Sequence, residues 1–155
     1  MARHAPSSSE GFTLVELIIA LLIAGILAAL AIPRMQGTVQ EIRARSTLNQ
    51  LSSELYWARM LAVEGGATVR LVLHSDGDCV RSVSTFRDEP DGGRRELTRA
   101  TVGSVGPCLR HNGDSSLVFD GRGMLRPPAR TFSIENGRVT ERLILSIAGR
   151  LRRTR

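Results

Sequence analysis

The chain divides by the spacing of its apolar residues into three stretches. From Leu17 to Ile32 every residue is apolar or Gly, the unbroken part of a membrane-length helix that opens at Phe12. From residue 34 to 64 the pattern becomes periodic: Ala44, Leu48, Leu51, Leu55, Ala58 and Ala62 recur at steps of three and four, which predicts one buried stripe on a helix. Glu41, Arg45, Asn49, Ser52 and Arg59 fill the other faces, and Gly65-Gly66 is the stop signal. At a rise of ~1.5 Å per residue, a helix from Phe12 to Glu64 is a rod of about 80 Å, half anchor and half spine, with Pro33 the expected bend.

Beyond Gly66 the pattern shortens to alternating runs between turn residues. Segments 68–74, 79–86, 116–119, 131–134 and 142–147 read as strands, and Asn136-Gly137 is a hairpin signal. Residues 88–95, with Pro90, Asp91, Gly92 and Gly93, read as a mobile loop. Phe119 and Phe132 belong to the sheet core, while Tyr56 and Trp57 are expected to pack from the helix onto the sheet. The fold class is α+β, a long N-terminal helix packed on a C-terminal antiparallel β domain.

With 155 residues there is room for one globular unit of about 90 residues once the anchor is subtracted. Cys79 and Cys108 are the two cysteines. They are either a disulfide in an exported domain or two buried thiols, and export favours the bridge. Asp76, Asp78, Asp88, Glu89 and Asp91 lack the spacing of a calcium loop. His74 and His111 frame no nucleophile, and Gly121-Arg122-Gly123 reads as a tight turn rather than a phosphate loop. No catalytic residue, cofactor or metal site is expected, and no enzyme.

Glu16 stands at the mouth of the apolar run. An ionised side chain at bilayer depth costs at least ~2.5 kcal/mol, so this carboxylate needs a partner. The sequence Gly11-Phe12-Thr13-Leu14-Val15-Glu16, followed by that run with Gly25 and Pro33, resembles the class III leader of type IV pilins and type II secretion pseudopilins. The resemblance implies that a prepilin peptidase cuts between Gly11 and Phe12 and that the Phe12 amine is methylated. It also implies that Glu16 pairs with the amine of a neighbouring subunit during assembly, major and minor pilins being the partners. The expected fold is the pilin lollipop. Its parts are a leader (1–11), a transmembrane and assembly helix (12–33), an amphipathic spine (34–66), a β domain (67–148) and a basic tail (149–155). The expected location is the inner membrane, crossed once with the C-terminal domain in the periplasm, and then the extracellular filament.

The far end narrows the family. The segment Leu117-Val118-Phe119-Asp120-Gly121-Arg122-Gly123 and then Ser146-Ile147-Ala148-Gly149-Arg150-Leu151-Arg152 resemble the GspH/FimT domain of minor pilins and pseudopilins. In FimT-like minor pilins of competence systems a Gly-Arg-x-Arg motif binds incoming DNA. That resemblance makes Gly149, Arg150 and Arg152 candidate DNA contacts, with Arg153, Arg155, Arg138 and Arg142 adding to the field.

Charge points the same way. The chain is basic (net +6), and from Arg122 to Arg155 nine Arg face only Glu135 and Glu141. Guanidinium groups bind phosphate in pairs of hydrogen bonds, and Gly149 is expected to let the backbone swing them toward a DNA strand. All 21 basic residues are Arg, a bias that composition alone can produce, but it does not explain the concentration at one end. Few aromatic residues accompany them, so the expected ligand is double-stranded DNA held by its backbone, and the FimT-like resemblance implies uptake in natural transformation. The other reading is a structural GspH-like pseudopilin of a type II secretion system.

Overall fold

The computed structural model describes residues 13–103, 107–136 and 139–154. The chain divides between Thr38 and Val39 into two compact units.

The first unit is helical. Helix α1 (Leu14–Gly65) begins here, and the Thr13 hydroxyl caps it by accepting the Glu16 amide at 3.2 Å. Glu16 lies in the first turn, where a carboxylate complements the helix dipole. The apolar side chains are uncovered: Leu14, Leu17, Leu21, Leu22 and Leu27 are each more than half exposed. Among the described residues no helix is long and apolar enough to cross a membrane. The side chains described in the run end at Ala29, short of its end in sequence at Ile32. The expected cleavage and methylation positions, Gly11 and Phe12, lie outside the described residues.

The second unit holds the rest of α1 and two antiparallel sheets. The six stripe residues from Ala44 to Ala62 are buried to within 2%. They join Leu71, Leu117, Phe119, Phe132, Ile134 and Leu145 in one core. The helix ends in a Schellman turn: Ala67 N–H donates to the Ala62 carbonyl and Gly66 N–H to that of Val63, with Gly66 at φ 55°.

Strands β1 (Val69–Asp76), β2 (Cys79–Asp88), β3 (Arg94–Thr101) and β5 (Ser116–Phe119) form a sheet in the order β3-β2-β1-β5. Strands β4 (Leu109–His111), β6 (Arg130–Asn136), β7 (Val139–Leu145) and β8 (Leu151–Thr154) form the other, in the order β4-β6-β7-β8. A disulfide from Cys79, at the start of β2, to Cys108, just before β4, joins them. Arg45 reaches from the helix to the buried Glu141 of β7 (3.3 Å) and also holds Glu41 (2.6 Å).

The five expected strands are present, the β6–β7 hairpin among them, with Asn136 opposite Val139. Three further strands are not in the sequence reading. Residues 88–95 are no loose loop, because Asp88 already pairs with Arg94 and a turn closed by Gly92 N–H to Glu89 O joins β2 to β3. Strand β3 lacks an apolar rhythm because it is an edge strand with most of its side chains exposed. Tyr56 also departs from expectation: it is 53% exposed and faces away from the core. Trp57 is half-buried in a groove with Thr98, Arg99 and Ala100 of β3.

Candidate nucleic-acid interface

Residues directly opposite one another in an antiparallel ladder share a face. Across the second sheet one row runs Arg110, Ser133, Arg142, Thr154, and the next runs Thr131, Ile144, Arg152. The intervening rows carry Leu109, Phe132, Ile134, Leu143 and Leu145, all buried in the core. The arginines therefore stand on the outward face, and Arg110, Arg142, Arg150 and Arg152 are all exposed. With strands ~4.8 Å apart, the Arg110 and Arg142 backbones are about 10 Å from each other.

Arg142, Arg150 and Arg152 have no acidic or hydrogen-bonding partner for their side chains among the described residues. Glu135 lies on the same face and makes only a loose pair with Arg110 at 3.9 Å, both side chains being more than half exposed. Exposed pairs of that kind contribute little and are screened by salt. The outward face thus keeps a surplus of guanidinium charge with free donors.

The last residues are not the swinging tail expected from sequence. Leu151–Thr154 is strand β8, hydrogen-bonded to β7. Gly149 is buried in a turn that its own N–H closes onto the Ser146 carbonyl at 2.9 Å. Its φ of 70° explains the glycine: it is required by the turn's shape and packing rather than by mobility. Arg153 also departs from the group, since it lies opposite Leu143 and its Nη2 donates to Asn49 Oδ1 of the helix at 2.8 Å. Arg138 and Arg155 lie outside the described residues.

Sequence reasoning missed Arg110, which lies far from the motif along the chain and joins Arg142 only through the register of β4 on β6 and β6 on β7. It also missed Arg59, whose Nε donates to the Gly123 carbonyl and whose Nη1 donates to the Gly149 carbonyl. The Asp120 turn is as read: the Asp120 carboxylate accepts the N–H groups of Arg122 and Met124, and Gly123 N–H closes onto the Asp120 carbonyl. Among the described residues no three His, Cys, Asp or Glu are grouped to hold a metal ion.

Two family models match the chain: "Prokaryotic N-terminal methylation motif" over residues 6–32, and "Type II transport protein GspH" over residues 47–149. Among curated proteins no sequence matches. Among solved structures, the type IV minor pilin FimU of Pseudomonas aeruginosa is similar with a TM-score of 0.62 and 21% identity, covering 74% of this chain and 90% of that one. The minor pseudopilin EpsH from the type 2 secretion system of Vibrio cholerae is similar with a TM-score of 0.55 and 17% identity, covering 72% and 96%. At such identities the likeness is one of fold. The GspH match alone covers more than half of the chain, and the buried stripe, the two sheets and the methylation motif agree with it: the chain belongs to the GspH family of type IV pilin-like minor pilins and pseudopilins.

Proposed function

We propose that this chain is a minor type IV pilin that captures extracellular double-stranded DNA for uptake in natural transformation. One observation supports this most: Arg142 and Arg152 stand on the outward face of the β7–β8 pair, Arg150 is exposed at the entry to β8, and none of the three has an acidic partner among the described residues. A duplex presents one negative charge per ~1.7 Å of its axis, so guanidinium groups spaced by a sheet can neutralise several phosphates at once. Binding of this kind releases counterions and reads no base edges.

The earlier steps follow the N-terminal motif. The precursor inserts once into the inner membrane with its β domain in the periplasm. The prepilin peptidase removes residues 1–11 and the Phe12 amine is methylated. The helix then passes into the filament among major and minor pilins, with Glu16 pairing to a neighbour's amine.

The test is a salt titration of duplex binding by the detergent-solubilised full chain. Wild type should weaken steeply with salt. Arg150→Gln with Arg152→Gln should flatten the log–log slope by about two, near one unit per lost phosphate contact. Equal binding by both proteins, or none by either, overturns the reading. It would favour a structural pseudopilin of a type II secretion filament, a second reading supported by the GspH match and the EpsH-like fold.

A further inference from the structure

We propose that Arg59, on α1, is the positioning residue of the Gly-Arg-x-Arg segment. It does not touch DNA but fixes the direction in which Arg150 and Arg152 leave the domain. The inference rests on the DNA-binding reading above.

Two turns from distant parts of the chain meet at this one guanidinium. Arg59 Nε donates to the Gly123 carbonyl at 3.0 Å and Nη1 to the Gly149 carbonyl at 3.2 Å. The turns are built alike, each with a glycine at positive φ (74° and 70°) whose N–H closes onto the carbonyl three residues earlier, that of Asp120 or Ser146. The joint leaves no room for side chains. A Cβ on Gly149 would fall 2.5 Å from the Gly123 carbonyl oxygen and 2.8 Å from Arg59 Nε. One on Gly123 would fall 2.7 Å from Val63 Cγ2 and 3.1 Å from Arg59 Nε. Such closeness is the reason for a glycine at the head of the motif.

The consequence passes along the backbone. Ser146 N–H donates to the Arg150 carbonyl at 2.9 Å, and the Ser146 hydroxyl accepts Arg150 N–H at 3.1 Å. Leu151 is then placed opposite Leu145 and Arg152 opposite Ile144. Holding the Gly149 carbonyl thus sets where β8 begins and which face its arginines take. Arg59 itself is half-buried with two of its N–H groups committed to carbonyls, so its charge is poorly placed to meet phosphate. Two different nitrogens of one rigid plane meet the two carbonyls; a Lys ammonium keeps the charge but has a single nitrogen on a flexible stem and loses that geometry.

The experiment compares wild type, Arg59→Lys, Arg150→Gln/Arg152→Gln and the triple variant, as full chains in detergent. Duplex affinity is measured across salt, and amide hydrogen exchange of residues 150–154 is followed. Arg59→Lys should weaken binding about fivefold, from the ordering freedom returned to the arginines, and flatten the salt slope although no charge is lost. Exchange at 150–154 should quicken while the α1 amides stay protected. In the Arg150→Gln/Arg152→Gln background the Lys substitution should cost nothing further, because its effect runs through those two side chains. Arg59→Gln, which can still reach one carbonyl, replaces Arg59→Lys if that variant does not fold. Wild-type affinity and slope in Arg59→Lys, or additive losses in the triple variant, overturn the proposal. Should wild type itself bind no DNA, the functional reading fails and exchange alone decides: unchanged rates at 150–154 in Arg59→Lys reject the positioning role.

Discussion

At the scale of single residues, several polar side chains are used to shape turns. The Asp120 carboxyl is held below its ordinary value, first by the Met124 N–H and, against partial burial, by the Arg122 N–H and guanidinium. A depressed folded-state value means that the ionised form stabilises the fold. The stabilisation is complete above the unfolded-state value and fades as pH falls through the folded one. Asp120→Asn should therefore lower the thermal midpoint at neutral pH, and the gap to wild type should close as pH falls below 3.8 and through the depressed folded-state value, where the Asp120 carboxyl becomes neutral like the amide. A gap that stays constant down to strongly acid pH would contradict this. The Gly-Arg-x-Arg segment was legible in sequence as a motif. The reason for its glycine was not, because the atoms that crowd Gly149 belong to Gly123 and Arg59.

At the scale of elements, what could be read from sequence was what pays its cost in apolar burial. The α1 stripe and strands β1, β2, β5, β6 and β7 each bury a face, so their period survives in the sequence. Strands β3, β4 and β8 are all sheet edges, β4 only three residues long, held by backbone pairing more than by side chains, and RRELTRAT or LRRT carries no such period. The disulfide acts at this scale too, since it ties β2 of one sheet to the start of β4 in the other across 29 residues. On the chain-entropy relation, closing that loop stabilises the domain by roughly 3 to 4 kcal/mol. Urea unfolding of Cys79→Ser/Cys108→Ser should show a loss of that order with a cooperative transition retained. A loss under about 1 kcal/mol would mean that the sheets hold together without the bond.

Over the whole molecule, the first unit presents uncovered apolar side chains from Leu14 to Leu27, and the second a buried core with a basic outward face on one sheet. Apolar surface on that scale calls for a lipid or protein neighbour. Glu16, in the first turn of this surface, is the ionisable group expected to make assembly selective. Glu16→Ala should reduce incorporation into filaments about tenfold or more, the loss of an ion pair worth at least ~1.4 kcal/mol, while the thermal midpoint of the β domain stays at the wild-type value. Filaments carrying the variant at the wild-type level would sink the role. The proposed roles are spread along the chain, and the sequence shows them well at its start, where the N-terminal methylation motif lies. It shows them poorly at the sheet face, where Arg110 and Arg142 become neighbours only through folding.

The pairing of β8 also sets how the domain bears load. An edge strand pulled away from its neighbour peels, giving up ladder bonds one after another, whereas a strand pulled along its length must break them together. Strand β8 has β7 on one side, the Arg153–Asn49 contact reaching to the helix, and the Arg59 fork at its entry. Under the proposed reading, a pull on Arg152 would load both the sheet and the part of α1 that carries Asn49 and Arg59, so the domain would resist as one body rather than shed its last strand.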